Sequence, residues 1–175
     1  MELWFYKAEH GDWKDRLIGW WTRGPYSHVE IAFSDGLCFS SSPRDGGCRF
    51  VKIDPSDHWD SLSLRQSMED MTARFVQSRQ AGISPTTITN IYERKIREWC
   101  ETQVGKPYDW QAVLGFTFQE PAFEDREKWY CSEVVLYAFN HFGLWKGNCH
   151  LHPNQMYEEI VQISGKDAKH AYTKV

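Results

Sequence analysis

The chain has 175 residues, which suits one domain with a single substantial core, and its net charge of −4 comes with no basic block that would indicate nucleic-acid binding. No apolar run approaches the roughly 18 residues of a membrane span, and the N-terminal segment lacks the basic and apolar regions of a secretory signal. Because the five cysteines are odd in number and irregularly spaced, we expect reduced thiols in a cytoplasmic protein.

The first part of the chain predicts an antiparallel meander with a short helix near its start. After a strand at residues 3–6, Asp12 can cap an amphipathic helix that ends near Gly24. A β-branched and aromatic run then predicts a strand at 27–33, and Ser-Asp-Gly at 34–36 predicts a hairpin turn. Further strands are predicted at 37–41, 49–53 and 61–64.

The second part of the chain is mainly helical in pattern. Ser84 and Pro85 resemble a helix cap and first helical residue, and that helix can run to Gly105. Other predicted elements are a short helix at 109–116, helices opening at Cys131 and Pro153, and a closing strand at 171–175. The stretch 67–84 is left open as a helix, an insertion or a lid. No linker divides the chain, so residues 1–175 are expected to form one α+β domain, with an antiparallel sheet packed against helices.

Cys131 stands where a loop becomes a helix. Apolar residues follow it with helical spacing, at Val134, Val135, Ala138, Phe139 and Phe142. We therefore expect Cys131 in the first helical turn, where unpaired N–H groups favour a thiolate over a thiol. That placement suits a nucleophile, although free cysteines often only fill space in a core, which is the interpretation given to Cys38, Cys48 and Cys100.

His28 is the best candidate for the base that a thiol nucleophile requires. It opens a predicted strand after the turn-like segment 24–27, so its ring could reach the edge of a cleft. Taken alone, a histidine is more often a surface residue or a hydrogen-bonded core residue. The base assignment therefore needs support from other residues.

Two segments, Val-Gly-Lys-Pro-Tyr-Asp-Trp at 104–110 and Trp-Tyr-Cys-Ser-Glu-Val-Val at 129–135, resemble the NlpC-type papain-like cysteine hydrolases. In that family a Gly-x-Pro-Tyr segment precedes a Cys-Ser motif that opens the catalytic helix. The histidine strand usually follows the cysteine, whereas here His28 comes about a hundred residues before Cys131. This order resembles the circularly permuted YiiX-like branch, which is related to lecithin retinol acyltransferase.

The resemblance implies a permuted papain-like fold and acyl transfer to water through a thioester. Cys131 would be the nucleophile, and His28 the general base and later the acid. Tyr108 would polarise the substrate carbonyl together with a backbone N–H of the Cys131 helix, although a tyrosine after Gly-x-Pro is also often a simple loop anchor. The implied substrate is a small peptide, a lipid amide or another acyl compound, with no cofactor and no metal.

The third, orienting residue is where the chain departs from the family pattern. Relatives commonly carry Glu, His, Gln or Asn about a dozen residues after the histidine, where this chain has Ser40, Ser41 and Ser42. A two-residue hairpin loop would put Ser41 on the face of His28, and a three-residue loop would put Ser40 and Ser42 there. The family spacing favours Ser40, while Glu30 shares the strand face of His28 and could contribute charge. A serine stabilises an imidazolium less than a carboxylate does.

Two other functions stay open at this stage. One is a papain-like binding scaffold with weak or no activity, and the other is an acyltransferase that uses the same thioester. The aromatic residues near the motifs suit either an acyl-binding groove or core packing; they are Trp110, Phe116, Trp129 and Tyr130. The segment Cys-His-Leu-His at 149–152 invites comparison with a zinc site, but no second ligand pair accompanies it, so no metal site is predicted.

Overall fold

A computed structural model describes residues 1–63, 85–113 and 127–163 of the chain. They form an α+β structure with a five-stranded antiparallel sheet, which confirms the predicted fold class. The strands are β1 Glu2–Lys7, β2 Tyr26–Ala32, β3 Leu37–Ser42, β4 Gly47–Lys52 and β5 Trp59–Ser63. The helices are α1 Trp13–Trp21, α2 Pro85–Gln103, α3 Cys131–His141 and α4 Pro153–Ile163, with a short 3-10 turn at Ala8–His10. The stretch 67–84, which the sequence leaves open as a helix, an insertion or a lid, lies outside the described residues, as do the closing strand predicted at 171–175 and Phe116. Of the helix predicted at 109–116, residues 110–113 are helical in the structure.

The sheet has the strand order β4-β3-β2-β1-β5, so β2 lies at its centre. The helix α1 begins as predicted, because the Asp12 carboxylate accepts hydrogen bonds from the backbone N–H groups of Lys14 and Asp15. Helices α3 and α4 pack against β2, and α2 packs against α3. The strand that carries His28 is therefore held between neighbours on both sides and helices across one face.

The hydrophobic core lies between the sheet and helices α2, α3 and α4. It includes Leu3, Phe5, Val29, Ile31 and Phe39 from the strands, and Ile96, Val134, Val135, Ala138, Met156 and Tyr157 from the helices. Burial of each large aliphatic side chain stabilises the fold by about 1.5–3 kcal/mol. The apolar residues predicted to follow Cys131 with helical spacing do face the core. Their packing fixes the position of α3 and therefore of Cys131, its first residue. Cys38, Cys48 and Cys100 are buried free thiols.

The β2–β3 hairpin uses the three-residue loop. The N–H of Phe33 donates to the carbonyl of Leu37 at 2.9 Å, and Gly36 in the loop has a φ of 84°, which favours glycine. This register continues with Ile31 opposite Phe39, and its extension puts Ser40 beside Glu30 on one sheet face. The face that carries the charged residues is therefore fixed by the loop length.

A β-bulge interrupts β2 immediately before His28. Tyr6 pairs with His28 whereas Lys7 pairs with Tyr26, so Ser27 is the additional residue on β2. On one side of the bulge Tyr26 packs in the core against Phe5, with ring centroids 5.3 Å apart. On the other side His28 turns toward Glu30. The bulge thus changes which face the strand presents at the position where the histidine is required.

Asn154 of α4 stabilises the irregular start of β2. Its Oδ1 accepts from the N–H of Tyr26 at 2.8 Å, and its Nδ2 donates to the carbonyl of Tyr26 at 2.8 Å. Asn154 is buried, so no solvent would replace these two bonds. The helix that follows the cysteine helix therefore fixes the backbone two residues before His28.

Candidate active site

Cys131 is the first residue of α3, at the position that the sequence predicts. Its side chain is 4% exposed, and the preceding Tyr130 has the extended backbone of a helix cap. The adjoining Ser132 hydroxyl donates to the carbonyl of Leu151 at 2.6 Å. Cys131 therefore lies in the first turn of α3, where backbone N–H groups give the positive potential of a helix N-terminus.

The segment 105–108 brings Tyr108 to the cysteine by pairing with the edge of β4. The carbonyl of Lys106 accepts from the N–H of Cys48 at 2.9 Å, and the N–H of Tyr108 donates to the carbonyl of Gly46 at 3.0 Å. A Cβ on Gly47 would lie 1.9 Å from the Lys106 carbonyl oxygen, so only glycine permits this approach. The Gly-x-Pro-Tyr segment therefore behaves as a short additional strand.

A second bridge connects Tyr108 to the residues before the cysteine. Tyr108 pairs with Trp129 in parallel, and the N–H of Trp129 donates to the carbonyl of Pro107 at 3.1 Å. On the opposite side, the Ser41 hydroxyl donates to the Trp129 carbonyl at 2.6 Å. Two motifs separated by 18 residues of sequence thus become neighbours next to Cys131.

His28 interacts with both Cys131 and Glu30. Its Nε2 lies 2.7 Å from Oε1 of Glu30, and the ring is close enough to Cys131 to interact electrostatically with its sulfur. With Nε2 used by Glu30, Nδ1 is the ring nitrogen left to serve the thiol. Burial disfavours the charged ring, but a Cys131 thiolate and the Glu30 carboxylate outweigh burial and raise the pKa of His28 to about 9. The imidazolium is therefore the favoured form of His28 at neutral pH.

Glu30 occupies the orienting position of this cluster. It is fully buried, and both its oxygens bind the guanidinium of Arg49, from Nη2 to Oε1 at 2.6 Å and from Nη1 to Oε2 at 2.8 Å. Burial would raise the pKa of Glu30, but His28 and Arg49 together hold it below its usual value. Asp45 accepts a further bond from Nε of Arg49 at 2.7 Å. The carboxylate facing the histidine is therefore charged and fixed in direction.

The serines predicted as candidates for the third position contact other groups. Ser40 lies on the face of Glu30, but its hydroxyl is buried and has no hydrogen-bond partner among the described residues, while its carbonyl accepts from Arg49 at 3.3 Å. Ser41 points to the helix side, and the Ser42 hydroxyl accepts from the N–H of Arg44 at 3.2 Å. Of the residues considered from sequence, the structure brings Glu30 to His28.

Tyr108 is buried beside Cys131 and retains its proton. Burial, followed by the charge of a nearby Cys131 thiolate, raises the pKa of Tyr108 well above its ordinary value. Its ring also stacks edge-on with Trp110, at 5.0 Å between centroids. A neutral phenol is a hydrogen-bond donor, so Tyr108 has the chemical state needed to stabilise an oxyanion.

A groove of about 160 Å³ reaches the cysteine and is mainly apolar. Its lining residues are Leu17, Ile18, Trp21, Thr22, Ser27, Tyr108, Val113, Tyr130, Cys131, His152 and Pro153. Burial lowers the pKa of His152, which keeps this ring neutral in the groove wall. A more open depression of about 750 Å³ on another side of α1 is lined by neither cysteine nor histidine.

The aromatic residues near the motifs divide between groove and core. Tyr130 lines the groove, while Trp129 is a core residue that packs against Tyr137 with ring centroids 5.0 Å apart. Trp110 is 47% exposed and stacks on Tyr108 outside the groove lining. Of the three aromatic candidates that the structure describes, Tyr130 therefore lines the groove, whereas Trp110 and Trp129 do not.

Within residues 1–63, 85–113 and 127–163, no group of three or more His, Cys, Asp or Glu side chains is arranged to hold an ion. Nδ1 of His150, from the Cys-His-Leu-His segment, lies 3.1 Å from Oε1 of Glu133. Among the same residues, no helix is long and apolar enough to cross a lipid bilayer.

No family model and no curated protein matches this chain. The resemblance to the permuted hydrolases therefore depends on the residues and the element order alone. Three features of the site were not anticipated from sequence: Arg49, Asp45 and the contact of Asn154 with β2. A register assignment for β3 and β4 would have revealed the first, because it sets Arg49 opposite Ser40.

Proposed function

We propose that this protein is a thiol hydrolase that cleaves an amide, peptide or ester bond through an acyl-enzyme on Cys131. The observation that carries the proposal is the placement of His28 between the Cys131 thiol and the buried Glu30 carboxylate. A nucleophile, a base and a residue that orients the base are the three parts that such chemistry needs. A buried cysteine without these partners would be an ordinary core residue.

The proposed reaction begins with attack of the Cys131 sulfur on the substrate carbonyl carbon. A C–S bond forms and the carbonyl electron pair moves onto oxygen. When the tetrahedral intermediate collapses, the bond to the leaving nitrogen or oxygen breaks and the His28 imidazolium gives it a proton. Neutral His28 then takes a proton from water, whose oxygen attacks the thioester. Cleavage of the C–S bond releases the carboxylic acid and restores the thiolate beside imidazolium.

The developing oxyanion has two sources of stabilisation in this proposal. One is the phenol of Tyr108, and the other is the first-turn backbone of α3 next to Cys131. Removing one such donor from an enzyme of this kind typically costs about 10²–10³ in kcat. The segment that carries Tyr108 has backbone hydrogen bonds to Gly46 on one side and to Trp129 on the other, which supports a preformed position for this donor.

The groove favours a small apolar acyl group over an extended polar peptide. Leu17, Ile18 and Trp21 form its α1 wall, and its volume is about 160 Å³. Small peptides, lipid amides and other acyl compounds remain the substrate classes under consideration. An acyltransferase would use the same thioester with an amine or alcohol in place of water, and addition of such acceptors to the assay separates it from a hydrolase.

The finer fold assignment is part of the same proposal. A central strand that carries the base precedes the helix that opens with the nucleophile, which supports a permuted papain-like arrangement. The five cysteines are free, in keeping with the reducing, cytoplasmic setting expected from sequence. The binding-scaffold alternative depended on a serine in the orienting position, and the contact between Glu30 and His28 weakens that reason.

Iodoacetamide labelling with mass-spectrometric mapping tests the proposal. At pH 7, Cys131 should alkylate faster than the more exposed Cys149, and His28→Ala should abolish the difference. His58→Ala, which removes an exposed histidine, is the matched control and should leave the rate unchanged. Incubation with a short-chain acyl ester should then leave an acyl adduct on Cys131. A Cys131 that labels only after unfolding would contradict the nucleophile assignment, and fast labelling without any acyl adduct would favour the binding scaffold.

A further inference from the structure

Helix α1 presents apolar side chains to solvent, the reverse of an ordinary surface helix. Its inner side is attached to the domain, because the Ser27 hydroxyl donates to Asp15 at 2.9 Å and the buried Gly19 lies against Ala8. Its outer side carries large apolar residues with high exposure: Trp13 at 70%, Leu17 at 48%, Trp20 at 74% and Trp21 at 44%. Exposing three tryptophans on nine residues requires an explanation other than core packing.

The exposed residues form one continuous face with basic residues at both edges. At 3.6 residues per turn, the four apolar side chains fall within an arc of roughly 100°. Lys14 borders this arc on one side and Arg16 on the other, while Asp15 lies on the opposite side of the helix. The Lys14 ammonium is 5.9 Å from the ring centroid of Trp110, which is 47% exposed and extends the apolar surface beyond the helix.

We propose that this tryptophan face, formed by Trp13, Leu17, Trp20, Trp21 and Trp110, docks on the surface of a membrane that contains anionic phospholipid. Indole rings favour the boundary between hydrocarbon and water, and flanking Lys and Arg side chains reach the phosphate and serine head groups. The helix lies in the plane of the interface and does not span it. The docking does not depend on any chemistry at Cys131.

The basic residues at the edges of the tryptophan face favour a lipid surface over a second copy of the chain as its partner. A two-fold contact through this face would bring Lys14 and Arg16 of one copy toward the same residues of the other, where like charges repel. An anionic bilayer instead complements both basic edges, although the whole chain has a net charge of −4. The apolar arc and its basic borders therefore fit a lipid surface better than a copy of themselves.

The tryptophan face also adjoins the groove. Leu17 and Trp21 belong both to this face and to the lining that reaches Cys131. A docked molecule would therefore hold the mouth of the groove at the membrane surface. An apolar compound dissolved in the bilayer could enter without crossing bulk water.

Vesicle co-sedimentation tests the docking with the complete chain. Vesicles of phosphatidylcholine with a minority of phosphatidylserine should retain the wild type, vesicles of phosphatidylcholine alone should retain less, and added salt should weaken binding. Trp13→Ser with Trp20→Ser, two residues outside the groove lining, should lower the partition coefficient by about tenfold or more. Val104→Ser removes another half-exposed apolar side chain and should change nothing.

Charge reversal gives a second route that keeps the tryptophans. Lys14→Glu with Arg16→Glu should reduce binding to the phosphatidylserine vesicles while leaving the weak binding to phosphatidylcholine. A wild type that stays in the supernatant, or a tryptophan variant that binds as well as wild type, would overturn the proposal. So would a wild-type dimer in sedimentation velocity that the same variant dissociates, because the face would then belong to a second copy. Unchanged Cys131 labelling in these variants shows that the folded site is intact, so the docking and the hydrolase proposals fail separately.

Discussion

Glu30→Gln isolates the charge that stabilises the histidine. Glutamine has nearly the shape of glutamate, so the side chain can still contact His28, but it cannot neutralise an imidazolium. In the native protein Oε1 of Glu30 lies 2.7 Å from Nε2 of His28 with no exposure to solvent. The substitution therefore removes the buried negative charge that faces both His28 and Arg49, and keeps a side chain of nearly the same size.

The expected size of the effect follows from that contact. A hydrogen bond to a charged group contributes about 1.5–3 kcal/mol, and one pKa unit corresponds to about 1.4 kcal/mol. The pKa of His28, raised to about 9 in the native site, should therefore fall by about 1–2 units in the variant. The sign is downward because the carboxylate favours the protonated ring. In a reaction that uses the His28 imidazolium as an acid, the rate would therefore begin to fall at a lower pH in the variant than in the wild type, because the ring loses its proton at a lower pH.

NMR titration of the imidazole Cε1–H signals measures the shift directly, with His28 assigned by comparison with His28→Ala. Asp45→Asn is the matched control, because Asp45 contacts Arg49 at 2.7 Å but makes no hydrogen bond with His28. It should move the pKa of His28 much less than Glu30→Gln does. If the two variants shift it equally, or if Glu30→Gln leaves it in place, Glu30 does not orient or charge-stabilise the base.

Two further predictions concern residues around the site. Tyr108→Phe should lower kcat for an acyl ester by about 10²-fold while the iodoacetamide rate of Cys131 stays near that of wild type, because alkylation creates no oxyanion; equal losses in both would indicate that Tyr108 only positions the loop. Asn154→Ala should lower the free energy of unfolding by about 2–4 kcal/mol in urea, since it leaves the N–H and carbonyl of Tyr26 without their buried partners; Asn148→Ala, at a more exposed turn, should cost much less.

The elements that carry the site follow from local sequence patterns. A β-branched and aromatic run located the strand of His28, and the Asp12 cap located the start of α1. The helical spacing after Cys131 indicated both the helix and its buried face. These signals are local, because a strand or helix shows its period within a few residues.

The charged cluster at the histidine was only partly accessible from sequence. Whether Ser40 or Ser41 shares the face of His28 depended on one residue of loop length, which the sequence left open. Arg49 reaches Glu30 across β3, a contact between strands that no local pattern encodes. The bulge at Ser27 likewise depends on a buried amide supplied by Asn154, far along the chain. Partners that are distant in sequence, such as Arg49 and Asn154, therefore shape the site without producing a recognisable pattern in the neighbouring sequence.

The pairing of residues 105–108 with β4 has a consequence for the order in which the protein folds during synthesis. The strands that surround His28 all come from the first 63 residues, whereas Cys131 comes about a hundred residues after His28 in the chain. Contacts between distant residues form late, because a long loop must close before they stabilise anything. During synthesis the thiol of Cys131 therefore does not lie beside His28 until α3 docks. A chain interrupted before Cys131 would carry His28 and Glu30 without the cysteine.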